Sequence, residues 1–146
     1  MNNPKRIGNL TELQCLLYLF KLGYDISQPY GDNSRYDFIL DVNSNLYKIQ
    51  CKTSHPLERG VYEFRCNSSR CNTKGTYKTY YTEEDVDFFA TFINERCYLI
   101  PFKETSTHSK ILRFVPTKNN QTKGITFGFE YEAERQIEKL KKEENV

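Results

Sequence analysis

The chain has 146 residues, with Lys+Arg 21 against Asp+Glu 19 and a formal net charge of +2, enough for one ordinary domain and too balanced for overall charge to name a partner. Its longest apolar runs, such as Cys15 to Phe20, are far too short to span a bilayer, and no charged-then-apolar leader opens it, so a cytoplasmic protein without membrane contact is expected. The five cysteines, Cys15, Cys51, Cys66, Cys71 and Cys97, are odd in number and scattered, which fits a reducing compartment. With only His55 and His108 beside them, Cys66 and Cys71 read as ordinary thiols rather than half of a zinc site.

Asn9-Leu10-Thr11-Glu12 reads as a capping box opening a first helix, with Asn9 as the N-cap. Leu13, Leu16, Leu17 and Phe20 follow at helical spacing as its apolar stripe, and Gly23 is a natural stop. Two short runs come next, Arg35 to Leu40 and Leu46 to Thr53, around the turn residues Asn43-Ser44-Asn45. They predict a β-hairpin. Alternation places Arg35, Asp37 and Ile39 on one side of the first strand, and on the second it sets Lys48, Gln50 and Lys52 opposite Tyr47, Ile49 and Cys51. One face is then core, and the other carries Asp37, Gln50 and Lys52. A carboxylate and an amide oxygen are hard ligands of the kind Mg2+ takes. A lysine two residues beyond one of them can reach the same water, an arrangement suited to phosphodiester hydrolysis.

With these residues the chain resembles the PD-(D/E)XK nuclease superfamily, and within it the branch of group I intron homing endonucleases known from cyanobacteria. Tyr36 stands where the motif has proline, and Gln50-Cys51-Lys52 stands for (D/E)-X-K; glutamine is found at that position in the intron-endonuclease branch. The resemblance implies an α/β fold with a restriction-endonuclease-like core, a mixed central β-sheet flanked by helices. It implies a Mg2+-dependent, sequence-specific double-strand DNA endonuclease of homing type, with Mn2+ able to substitute. Asp37, Gln50, the Cys51 main-chain carbonyl and Glu12 are the implied metal ligands, and Lys52 the residue that assists water. Glu12 also has a plain reading, as the cap of its own helix. Assembly as a homo-oligomer, a dimer or tetramer, on double-stranded DNA belongs to the same implication. A structure-selective nuclease of the Holliday-junction-resolvase kind shares this core. So does a non-catalytic DNA-binding module, of which Gln50 would be the first sign.

Beyond the hairpin the charge pattern changes. From Lys48 to Tyr80 there are seven basic residues, Lys48, Lys52, Arg59, Arg65, Arg70, Lys74 and Lys78, against Glu58 and Glu63, a local net of +5. Tyr62, Phe64, Tyr77 and Tyr80 are interleaved, and Cys66 to Thr79 is rich in Asn, Ser, Thr and Gly, as a mobile basic loop would be. With Arg35, these basic side chains are the candidates for phosphate contact. Glu83, Glu84, Asp85 and Asp87 read as a turn or helix start. Phe88 to Ile93 and Cys97 to Phe102 predict a second hairpin about Asn94-Glu95-Arg96, and Lys110 to Val115 a further strand. In the polar stretch Thr117 to Lys123, Asn119 and Gln121 have side chains able to read adenine edges, and Lys123 one able to meet a phosphate; the same residues also simply make turns. A charged helix over about 130–144 closes a single 1–146 domain, its sparse stripe of Tyr131, Ile137 and Leu140 packing on the sheet or on another subunit.

Overall fold

The computed structural model describes residues 3–144, with the side chains of Arg70 and Cys71 outside that description. Helix α1 spans Pro4–Lys21, starting earlier than the Asn9 box predicts. The stronger start signal is Asn3-Pro4: the Asn3 Oδ1 accepts from the Lys5 N–H at 2.8 Å and proline occupies the first turn, where its missing N–H costs nothing. Asn9 is therefore no cap, and Glu12 lies in the helix interior. The other end is as predicted. Gly23 takes φ 98°, and Tyr24 N–H bonds to Leu19 O while Gly23 N–H bonds to Phe20 O, the paired bonds of a Schellman stop.

A five-stranded sheet is built from β1 (Asp25–Ser27), β2 (Phe38–Val42), β3 (Asn45–Cys51), β8 (Phe88–Ile93) and β9 (Arg96–Pro101), in that order. All pairs are antiparallel except β3 with β8, so the sheet is mixed. Both hairpin turns are tighter than the sequence indicates. Asn43 and Ser44, and likewise Asn94 and Glu95, are two-residue turns with both φ values positive, the geometry that matches strand twist. Between β3 and β8 the chain adds β4 (His55–Glu58), β5 (Val61–Arg65), β6 (Asn67–Asn72) and β7 (Gly75–Tyr80). Strand β10 (Ser109–Arg113) joins β5 and β4 in a second, three-stranded sheet. The segment read as a loop, Cys66 to Thr79, is thus largely an ordered ribbon of β6 on β7, because each strand's polar backbone finds its partner in the other. The acidic cluster is a turn, in which the Asp85 carboxylate accepts from Thr82 N–H.

The two faces of the large sheet carry separate cores. Phe38, Leu40, Val42, Ile49, Cys51, Phe88, Ala90, Cys97 and Leu99 face α1 and helix α2 (Ala133–Glu144), meeting Cys15, Leu19, Ala133 and Ile137. Phe89, Ile93, Tyr98 and Ile100 face the second sheet through Phe64, Cys66 and Leu112. Strands β8 and β9 are covered on both sides, which is why they read as unbroken apolar runs. Two predicted apolar stripes turn out differently. On α1 the buried positions are Thr11, Cys15 and Leu19, with Leu16 partly buried against the core, whereas Leu10, Leu13, Leu17 and Phe20 face outward. From Leu13 to Phe20 this helix is apolar nearly all round, so spacing alone cannot tell its two sides apart there. The closing helix begins at Ala133 rather than near 130. On it Ile137 is buried and Leu140 packs against the first core, while Tyr131 lies in the short 3-10 turn before it (Gly128–Tyr131) and packs against the second, so that stripe is largely taken up by the chain's own fold. Among the described residues no helix is long and apolar enough to cross a membrane.

Candidate active site

Asp37 stands just outside β2, at the mouth of the hairpin, rather than inside a strand beginning at Arg35. Its N–H still bonds to Ile49 O at 2.8 Å. The next N–H of β3, from Cys51, is taken by the Asp37 carboxylate at 2.7 Å instead of by a main-chain carbonyl. The side chain therefore ends the ladder, and the same bond fixes the carboxylate beside the end of β3. Burial raises the Asp37 pKa, opposed by the Cys51 N–H and the charge of Lys52.

Lys52 lies one residue past β3, its N–H bonded to Ala90 O of β8 at 2.8 Å. Its ammonium donates to the Asn67 carbonyl at 2.9 Å and sits 4.8 Å from the centroid of the Tyr81 ring. Gln50, partly buried, directs its Nε2 at the Cys51 carbonyl at 3.5 Å, so amide and carbonyl are neighbours at the strand end. Glu12 arrives from the opposite face on α1. That helix is pinned to the chain beyond β3 by Thr11 Oγ1 against Thr53 Oγ1 at 2.9 Å. Glu12 and Asp37 line one cleft of about 340 Å3 with Gln28, Pro29, Gly31, Asp32, Ser34 and Tyr36. Burial first, and then the Asp37 charge, raise the Glu12 pKa.

The remaining candidates are more dispersed. Arg35 stacks on Tyr81 with Cζ 4.4 Å from the centroid. Lys48 donates its ammonium to Glu84 O at 2.7 Å. Arg59 is exposed between β4 and β5, Arg65 ends β5, and Lys74 and Lys78 are exposed on the ribbon; the Arg70 side chain lies outside the described residues. Asn119 and Gln121 bond to each other, Gln121 also bonds Lys123 O, and Lys123 is exposed. Sequence patterns pass over Asp32 and Ser34, which look like turn residues, and Tyr81 and Asn67, which no spacing links to Lys52.

A family model described as PD-(D/E)XK endonuclease matches residues 2–134. The chain belongs to this family. Among solved structures it is similar to that of the bacterial homing endonuclease I-Ssp6803I, at TM-score 0.75 and 24% identity over 96% of this chain and 95% of that one, a likeness of fold. No curated protein matches it. As a PD-(D/E)XK nuclease the chain is a hydrolase acting on DNA, and nucleases of this family generally use divalent metal ions.

Two of the nuclease's own donors, Glu12 and Asp37, suit such an ion by sharing a cleft. Among the described residues no three of His, Cys, Asp and Glu converge as a metal centre, but Mg2+ commonly takes one or two carboxylates and leaves the rest to water and phosphate. Glu12 and Asp37 are a pair of carboxylates of that kind, whereas Gln50 and Cys51 do not line the cleft. They lie next along the strand end, with the Cys51 N–H on Asp37 and the Gln50 Nε2 directed at the Cys51 carbonyl. Because both acids hold protons more tightly folded than unfolded, their contribution to stability is greatest below the ordinary carboxylate range and is lost as pH rises through their raised values. Added Mg2+ or Ca2+ should therefore raise Tm at pH 7.5 and progressively less as pH falls into that window. Asp37→Asn should leave the metal-free Tm unchanged or higher and erase most of the metal-induced rise; an undiminished rise in this variant would remove Asp37 from the ligand set.

Proposed function

We propose that this nuclease is a Mg2+-dependent, sequence-specific double-strand DNA endonuclease of homing type, in which Mn2+ also serves. The observation that supports the reading is Asp37 at the end of β3, sharing a cleft with Glu12 and lying close enough to Lys52 to feel its charge. Asp37, Gln50, the Cys51 carbonyl and Glu12 would hold the metal. When bound, it supplies Lewis acidity, lowering the pKa of water and offsetting phosphate charge. Lys52 presents a positive charge beside Asp37, where it orients the attacking water and balances charge developing on the phosphate. Asp37, held by the Cys51 N–H, is prevented from swinging away. The homing character is supported by the likeness to I-Ssp6803I across nearly the whole of both chains.

The β6–β7 ribbon is the main DNA-binding element in this reading. A two-stranded ribbon fits the major groove, and this one projects Lys74 and Lys78 and the exposed Tyr77 and Tyr80. Its first strand starts at Asn67, whose carbonyl receives the Lys52 ammonium. Alanine at Arg70, Lys74 and Lys78 together should flatten the plot of log K against log salt by about 0.9 for each phosphate that these side chains neutralise in the wild type. A slope equal to wild type would take the ribbon off the DNA.

One site per chain cuts one strand, so a double-strand break calls for at least two copies. We therefore read the active species as a homo-oligomer, dimer or tetramer. The deciding experiment is incubation with Mg2+ and a library of random-sequence duplexes, with a four-way junction alongside, followed by sequencing of cut ends and sedimentation of the protein. Paired ends at one recurrent sequence support the reading. Cutting of the junction alone would replace it with a structure-selective nuclease, and no cutting of either with a binding module.

A further inference from the structure

Arg35 and Lys52 both lie over the ring of Tyr81, at 4.4 and 4.8 Å from its centroid. Among the described residues neither is in a salt bridge, and the Arg35 Nη2 is buried with no hydrogen-bond partner. An arginine placed for the fold alone settles on an acceptor, because a dry unpaired N–H is costly. The choice of partner matters for chemistry. A carboxylate would hold each cation but cancel its charge, whereas the negative face of an aromatic ring attracts and orients a cation and leaves the charge whole.

The ring is itself braced. Tyr81 meets Phe89 edge-on at 5.5 Å and 82°, and fully buried Phe89 rests against Phe64 and Phe102. The Lys52 ammonium also has a second fixed neighbour, the Asn67 carbonyl at 2.9 Å. Asn67 is buried and anchored by its own amide to Thr107 O at 2.7 Å. Ring and carbonyl thus hold the ammonium between two rigid groups, neither of which neutralises it.

We propose that Tyr81 is a positioning residue that holds Lys52 and Arg35 as two un-neutralised cations beside the reacting centre, with Lys52 serving the attacked phosphate and Arg35 binding a DNA phosphate oxygen. The inference rests on the reading of Asp37 and Lys52 as that centre. Its physical content is that the aromatic face, not merely apolar bulk, is required at position 81.

Two measurements on the full chain test it. In lysine-selective NMR the ε-methylene signals of Lys52, identified by their loss in Lys52→Arg, should be displaced upfield by the ring; Tyr81→Leu should remove the displacement and Tyr81→Phe keep it. Signals that do not move in Tyr81→Leu overturn the proposal, whether or not DNA is cut. On the duplex recovered from the cleavage library, Tyr81→Leu should slow kcat about tenfold with a smaller change in KM, and Tyr81→Phe should restore it. Arg35→Ala should weaken binding of the same duplex in Ca2+ and flatten its salt slope by about 0.9. Equal kcat for the Leu and Phe variants, or an unchanged slope for Arg35→Ala, overturns the corresponding half. Wild-type cleavage by Lys52→Ala would instead sink the assignment of the reacting centre, on which the NMR displacement does not depend.

Discussion

Lys52→Ala and Asp37→Asn should each lower the single-turnover cleavage rate by roughly a thousandfold or more, since a metal ligand or a charge stabiliser carries several kcal/mol in the transition state. The loss should be chemical rather than structural. The amide oxygen introduced by Asp37→Asn can still accept from the Cys51 N–H that the Asp37 carboxylate now holds at 2.7 Å, so the end of β3 keeps its geometry, and binding of the duplex in Ca2+ should persist for the lysine variant. Lys48→Ala is the control. It lies on the same strand two residues from Gln50, but its ammonium is directed at Glu84 O rather than at the Asn67 carbonyl beside Tyr81 that holds Lys52. Any phosphate contact it makes should therefore show in duplex binding, while the single-turnover rate at saturating DNA stays within a few-fold of wild type. A rate near wild type for either of the first two variants would remove that residue from the site. An equally deep loss in Lys48→Ala would show that the strand as a whole, not the named groups, had been disturbed.

Leu19→Ala should destabilise the fold by about 2–5 kcal/mol, the range for emptying a packed core position, while Leu17→Ala should change stability by no more than about 0.5 kcal/mol. The two leucines are near neighbours on α1 and differ in one respect. Leu19 is 0% exposed and Leu17 is 51% exposed. Urea unfolding of the two variants, with m-values compared so that both are read on the same transition, decides the matter. Equal losses would mean that the outward side of α1 is covered in solution. Because a domain of this size has only some 5–15 kcal/mol to lose, Leu19→Ala should also be the variant that fails to accumulate in cells.

That contrast also shows what the sequence could reveal. The β2–β3 hairpin is legible because half-buried strands alternate, whereas Asp37 and Lys52 lie just outside β2 and β3, where alternation no longer fixes a face. Strands β8 and β9 are legible as apolar runs with turn residues between them. On α1 the pattern misleads, since Leu10, Leu13, Leu17 and Phe20 are as well spaced as the true inner face. That inner face includes Thr11 and Cys15, which hydropathy ranks lower. The ribbon is hidden for a different reason: Asn67 to Asn72, all of them residues common in turns apart from Arg70 and Cys71, become a strand only through pairing with β7, a context that outweighs intrinsic preference. Within the site, the residues closest in sequence to the motif are visible. Tyr81 and Asn67 are not, because what joins them to Lys52 is contact in three dimensions, across chain separations that carry no periodic signal.

The parallel pairing of β3 with β8 has a consequence for how the nuclease is made. Glu12, Asp37 and Lys52 leave the ribosome early, yet the carbonyl that receives the Lys52 N–H belongs to Ala90, and α1 is seated on β8 and β9. Until those strands emerge, the helix that carries Glu12 has only β1 and the β2–β3 hairpin to rest on, and the end of β3 lacks the neighbour that receives the Lys52 N–H. A nascent chain halted before Phe88 therefore holds Glu12, Asp37 and Lys52, and the Asp37 bond to the Cys51 N–H, without the strand that fixes the Lys52 backbone. For an enzyme that cuts DNA, translation through β8 and β9 should then act as a safeguard, with shorter fragments from broken messages or stalled ribosomes cutting far more slowly than the whole chain.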